Sequence, residues 1–401
     1  MAAAGAVQYF DQLRFPRVEN LPPYVFATVD QLKRELRRDG RDVVDLGFGN
    51  PDIPSPPIAV AKLQEAAGVA RNHRYSASRG ITQLRHAVSE HYLRSFGVSL
   101  DPETQVTSTI GAKEGLAHLL WVLVEPGDTV VVPTPAYPIH RVAPALAGAR
   151  VVTPLATGGV GAIVEAVEAS APKVVIVSLP HNPTTAVAAA EDMQLLVDLA
   201  REREFVLVHD FAYADVAFDG HRPPSVLAAD GAAECAVELY SLTKSFSMAG
   251  WRVGFLLGRP DVVAALTKLK SYLDYGTFQP IQIAATVTLR EASDYPAEVC
   301  GVYRGRRDAL CRGLDRAGWH VEPPLGTMFV WAPIPERYRH LGSLDFALLL
   351  ARDANVAVSP GTGFGDGGDG HVRFALVENE QRIGQATRSI KKLFDRSDAL
   401  G

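Results

Sequence analysis

The chain has 401 residues, 47% apolar and 21% charged, with 45 acidic against 40 basic side chains and a formal charge of −5. That mixture belongs to an ordinary globular protein and excludes collagen-like, coiled-coil and disordered chains. There is no basic surplus to neutralise phosphate, so no nucleic-acid partner is expected.

Residues 1–7 lack the basic flank and apolar length of a secretory signal. The most apolar run, Leu119 to Val124, is far shorter than the ~20 residues that cross a bilayer. No membrane association is expected, and a cytoplasmic location is. A charged helix is expected over Leu32–Arg38, and a strand over Val106–Ile110 leads into an apolar helix over 116–124. The β-branched runs Thr129–Val132, Val174–Val177, Phe205–Val208 and Val253–Leu257 read as strands, and Glu191–Glu204 has helical spacing at Leu195, Leu196 and Leu199. Near-continuous apolar strands separated by helices predict an α/β fold with a mostly parallel sheet covered on both faces. After about 290 a helix carrying Arg304, Arg306 and Arg307 precedes strand-like pieces at 328–330 and 372–374. We therefore expect a large domain over 46–289 and a small α+β domain built from 1–45 and 290–401. Cys235, Cys300 and Cys311 are too few and too scattered for a disulfide framework and fit a reducing compartment.

Three motifs point away from the chemistry they resemble. Gly363-Phe-Gly365-Asp-Gly-Gly368 fits a dinucleotide fingerprint, but the alternating residues that follow predict a strand where that motif needs a helix. Ser241-Leu-Thr-Lys244 fits the serine β-lactamase pattern without its companion motifs. The histidines include no pair at metal-ligand spacing on one helix, so no metal is expected.

A stronger pattern runs along the strand ends. Pyridoxal phosphate needs a Schiff-base lysine, an acid against its pyridine nitrogen, phosphate donors at a helix start, an aromatic face and a donor to its ring hydroxyl. Gly111-Ala112-Lys113 opens a helix and offers free backbone N–H groups. Tyr137 ends a strand between prolines, and Asn182 follows another strand in His181-Asn182-Pro183. Asp210 closes an apolar strand with Tyr213 three residues on; a buried carboxylate there needs a cationic partner such as a protonated pyridine. Only nine of the basic residues are lysines, and Lys244 lies between Ser241 and Arg252 after an apolar strand. Burial at such a place lowers an amine's pKa toward the free base that Schiff-base chemistry needs.

With these residues together, the chain resembles the class I/II aminotransferases, fold type I of the pyridoxal-phosphate enzymes. Lys244 and Arg252 stand eight apart as in that family, and Asn182, Asp210, Tyr213 and Arg373 fall in its order. The runs Asn20–Phe26, Phe48–Asp52, Tyr75–Gly80, Ala136–His140, Asp274–Phe278 and Phe364–Asp369 are similar to the bacterial glutamate–pyruvate branch. The resemblance implies a homodimer with shared sites, in which Tyr75 reaches the neighbour's phosphate and the 274–278 run, with Thr277, borders it. It implies that Gly49 offers its N–H to a substrate carboxylate that Arg373 clamps. The implied activity moves an amino group between an L-amino acid, alanine or glutamate, and pyruvate or 2-oxoglutarate. His181 and Ala112 replace the serines usual in that branch, and Thr185 stands where Ala or Gly is usual. These departures leave open a non-transaminating reaction on the same cofactor, such as replacement, decarboxylation or cyclisation.

Overall fold

The computed structural model describes residues 13–19, 21 and 25–398. Asn20 and residues 22–24 of the Asn20–Phe26 run lie outside the described residues. Among the described residues the largest sheet has seven strands: β2 (Val106–Thr109), β3 (Thr129–Val131), β4 (Arg150–Val152), β5 (Val174–Val177), β6 (Val206–Asp210), β7 (Ala236–Ser241) and β8 (Gly254–Gly258). Their spatial order is β2-β8-β7-β6-β5-β3-β4. β8 runs antiparallel to both neighbours; all other pairings are parallel. Every residue of β5, β7 and β8 is buried; β5 and β8 accordingly read as unbroken apolar runs, whereas β7 carries Glu238 and Ser241 among its buried residues. Each fully buried valine or leucine contributes about 1.5–3 kcal/mol.

Helices cover both faces. α1 (Phe26–Arg38) extends the expected charged segment toward the N-terminus; α2 (Pro57–Ala67) and α3 (Thr82–Phe96) follow. α4 (Ala112–Leu123) starts directly after β2, and Gly111 at its cap has φ +82°, a conformation that favours glycine. α5 (Pro138–Leu146) and α6 (Gly159–Ser170) lead to α7 (Ala190–Arg203). α7 buries Leu196 and Leu199, while Leu195 stays half exposed. α8 (Pro260–Leu273) and α9 (Gln279–Glu291) complete this part of the chain.

The remainder joins sequence-distant pieces. β1 (Val44–Asp45) pairs in parallel with β10 (Val356–Ala357). β11 (Ser359–Pro360), β12 (His371–Ala375) and β9 (Phe329–Pro333) form an antiparallel sheet with β12 central. α10 (Tyr295–Asp315), α11 (Gly342–Ala354) and α12 (Glu380–Asp398) pack over it. One apolar cluster binds Val29, Leu36 and Val44 to Val330, Phe346, Val372 and Ile390. The strand β12 follows the glycine-rich 361–370 segment, as its alternation predicts.

Candidate active site

A cavity of about 450 Å³ opens where the carboxyl ends of the parallel strands meet the 47–50 segment and β12, the usual ligand position in such sheets. Its lining includes Gly49, Ala112, Lys113, Tyr137, Asn182, Asp210, Tyr213, Ser241, Lys244, Arg252 and Arg373. Of the residues singled out in the sequence, Gly111 lies just behind the wall: a Cβ there would strike the Arg252 guanidinium. Tyr75 is not brought into the cavity of its own chain. It is 85% exposed, with its ring 4.6 Å from that of Tyr275.

Lys244 sits in a helical turn, Leu242–Ser245, immediately after β7. The Ser241 hydroxyl starts that turn by accepting from the Thr243 N–H at 3.1 Å. Lys244 Nζ donates to the Gly49 carbonyl at 2.9 Å. Burial lowers its pKa to about 7, with help from the charges of Arg373 and Arg252. The amine is therefore available as a free base near neutrality.

Asp210 is held from below. His140 Nε2 donates to its Oδ2 at 2.7 Å, from the first turn of α5. Its other oxygen, Oδ1, is buried without a hydrogen-bond partner among the described residues. An unpartnered buried carboxylate oxygen is costly and marks a place for a donor. Tyr213 OH and Asn182 Nδ2 lie 3.4 Å apart, and burial raises the Tyr213 pKa, so its hydroxyl stays a donor.

Arg373 is 6% exposed and crosses from β12 toward β5. It donates to Asn182 Oδ1 at 2.7 Å, the Gly47 carbonyl at 3.2 Å and Ser359 Oγ at 3.4 Å. Its guanidinium lies 3.9 Å from the Phe329 ring centroid and 4.6 Å from that of Phe364. A Cβ on Gly49 would meet Phe329 at 2.6 Å, so only glycine lets the 47–50 segment approach this arginine. Among the described residues nothing accepts from the Gly49 N–H.

At the far wall, the first turn of α4 presents N–H groups with no intrahelical acceptor. Ala112 contributes no hydroxyl. A Cβ on Gly254 would lie 2.7 Å from the Ala112 nitrogen, so β8 approaches this turn at backbone distance. Arg252 adopts φ +56° and reaches back to the Ile110 carbonyl at 3.4 Å. Lys113 Nζ stands 5.7 Å from the Tyr137 ring centroid.

The orphaned Asp210 oxygen, the free amine and the helix-start cradle fit pyridoxal phosphate. Sequence reasoning missed two contributors. His140 was visible only as part of a family run, because its value lies in reaching Asp210 across the fold. Phe329 has no local signal at all. His181, the departure expected to bear on substrate choice, does not line the cavity. It is buried beneath Asn182 with Nδ1 2.7 Å from Thr184 Oγ1, and burial lowers its pKa to about 3.

Comparison with known proteins agrees with this donor set. The model of the class I and II aminotransferases matches residues 41–390, and the chain belongs to that family. It is a pyridoxal-phosphate-dependent aminotransferase of fold type I. Among its relatives, the glutamate–pyruvate aminotransferase AlaC of Escherichia coli is 47% identical, covering 96% of this chain and 95% of that protein. The LL-diaminopimelate aminotransferase of Desulforudis audaxviator is 40% identical, covering 95% and 97%. The substrate-bound structure of BacF from Bacillus subtilis superposes with a TM-score of 0.90 at 33% identity, covering 95% and 98%.

Proposed function

We propose that this aminotransferase exchanges the amino group between alanine or glutamate and pyruvate or 2-oxoglutarate. The observation that carries the reading is the meeting of Lys244 and Arg373 in one cavity, a near-neutral amine beside a buried carboxylate clamp. The likeness to the glutamate–pyruvate relative supports the substrate pair.

When bound, the cofactor supplies an aldehyde and an electron-withdrawing ring that stabilises negative charge at the substrate Cα. Lys244 would provide the amine that holds it and would then move the proton at Cα. Asp210 Oδ1 would accept from the pyridine nitrogen, with His140 keeping that carboxylate aimed. Asn182 and Tyr213 would donate to the ring oxygen, and Tyr137 would supply an aromatic face. Gly111, Ala112, Lys113, Ser241 and Arg252 would hold the phosphate. Arg373 and the Gly49 N–H hold the α-carboxylate, which fixes the direction of the Cα–H bond.

The molecule is read as two bodies, 46–289 and the union of 1–45 with 290–401. The apolar cluster that joins α1 and β1 to α10, α11 and α12 supports the union of the two ends, and Leu46, Tyr213, Val216 and Phe218 of the larger body pack into the same cluster. Two chains form a homodimer with shared sites, Tyr75 facing the neighbour; Thr277 is buried in its own chain, its hydroxyl donating to the Arg252 carbonyl at 3.4 Å, and borders the shared region from within. Tyr75, Tyr272, Tyr275 and Phe278 make an exposed aromatic surface suited to that role. No helix among the described residues is long and apolar enough to cross a membrane. A cytoplasmic location is the reading that three free cysteines support.

A panel of amino donors and 2-oxo acids, with mass spectrometry of all products, tests the substrates. Alanine with 2-oxoglutarate should give pyruvate and glutamate. Turnover of another donor, such as LL-diaminopimelate, with alanine and glutamate inert would overturn the assignment.

A further inference from the structure

Lys270, in the last turn of α8, is the one lysine among the described residues that is wholly buried, at 0% exposure. It belongs to no part of the cavity lining. Its ammonium donates to Glu114 Oε1 at 3.1 Å and to Asp274 Oδ2 at 2.9 Å. Burying a charge this deeply is tolerated only with close partners. Glu114, His118 and Asp274 also gather here, and the Lys270 ammonium sits among them as their cation.

Each carboxylate has a second task. Glu114 lies in the first turn of α4, and its Oε2 accepts the Ile110 N–H at 2.7 Å. That bond sets the backbone entering Gly111 and the helix-start cradle. Asp274 Oδ1 accepts the Gly276 N–H at 2.6 Å, and the Asp274 carbonyl accepts from Ser78 Oγ at 2.8 Å. Those bonds set the 274–278 loop against the strand of chain that carries Tyr75. One ammonium thus ties the two carboxylates that shape the phosphate turn and the loop beside the exposed aromatic surface.

We propose that Lys270 is a positioning residue that couples retention of the cofactor to pairing of the two subunits. The inference rests on the shared-site homodimer read above. Loss of the tie loosens both ends, because neither carboxylate is otherwise fixed to the other.

The test uses apoprotein reconstituted with pyridoxal phosphate, its Kd read by absorbance, and the dimer dissociation constant read by analytical ultracentrifugation. Asp274→Asn cuts the loop side and keeps Lys270. It should raise the cofactor Kd on the order of tenfold, although Asp274 touches no part of the helix-start cradle. Glu114→Gln cuts the other side and should weaken the dimer to a similar degree. Lys270→Met should do both, and Lys270→Arg, which keeps the charge, should restore most of the loss. The cross-effect of Asp274→Asn on cofactor Kd should persist on a Tyr75→Phe background, where the neighbour's direct contact is gone. If each single cut acts only at its own end, the coupling is overturned, and the two carboxylate variants decide this even if Lys270→Met fails to fold. A wild-type protein that is monomeric throughout would instead sink the shared-site reading, while the response of cofactor Kd to Lys270→Arg and Glu114→Gln would still judge the tie to the phosphate turn.

Discussion

β6 and β7 carry two buried polar groups within one residue of each other, and the two are finished differently. In the core behind the sheet, Glu238 accepts from Tyr92 OH and Ser225 Oγ at 2.8 Å each, from the Val226 N–H at 2.9 Å, and lies 2.8 Å from His209 Nδ1. On the cavity side, the neighbour of His209, Asp210, has one oxygen paired and one left bare. Strand alternation sends the adjacent residues to opposite faces. A closed polar network contributes rigidity, whereas an open one holds acceptors and a free base ready for a ligand. Polar burial alone therefore does not mark a site in this protein; polar burial with unpartnered atoms does.

Variants that act on one network and spare the other break or sharpen this contrast. The largest effect belongs to Lys244→Ala, which should reduce kcat/KM on the order of 10⁴-fold. Its urea unfolding should stay cooperative. Retention of near wild-type rates in single turnovers with glutamate would place the open network elsewhere. Next comes Glu238→Ala, which strands four donors in the core and should cost about 3–5 kcal/mol in urea unfolding. The specific activity of its folded fraction should change far less; a loss of activity larger than the loss of stability would erase the distinction between the two faces.

Arg373→Ala or Arg373→Lys should lower kcat/KM on the order of 10²-fold, since a lysine cannot reproduce the planar fork. The loss should be alike for glutamate and alanine, which share the α-carboxylate, and cofactor absorbance should survive. A loss confined to one substrate would move Arg373 from carboxylate clamp to side-chain recognition.

The smallest effect is a pH dependence. In the folded apoprotein Lys244 releases its proton at about 7, against 10.5 for a free side chain. Between those values the unfolded chain binds more protons, so wild-type stability rises with pH relative to Lys244→Met. Below 7 the gap between the two proteins is at its full size, in favour of the variant. Urea midpoints at about pH 6 and about pH 9 should show the gap shrinking at the higher pH. A constant gap would mean that the folded amine is not desolvated.

What was legible in the sequence follows the same division. β3, β5, β6 and β8 announced themselves because burial on both faces demands continuous apolar runs. β4 did not: Arg150 is exposed at the sheet edge and the strand has three residues. The two-residue strands β1 and β10 pair across about three hundred positions, and β11 is only two residues long against β12, so no local pattern encodes them. The cavity residues were legible because cofactor chemistry needs a lysine, an acid and an amide at strand ends. His140, Phe329 and Lys270 were not, because each acts on another side chain rather than on a ligand. The domain boundary expected near 289 falls in the last turn of α9, where an apolar helix face gives no signal of a change of partner.

The pairing of Val44 with Val356 also has a consequence in time. At about 5–20 residues per second, β1 leaves the ribosome tens of seconds before β10 exists. Over that interval Val43, Val44 and Leu46 lack the β10 neighbours that shield them in the finished core. The Gly47 and Gly49 carbonyls, which receive Arg373 and Lys244, follow directly after β1. The cavity is therefore closed only once β10 and β12 have both been made, and a nascent chain cut short before β10 has neither Arg373 nor the strand that pairs with β1 ahead of the 47–50 segment.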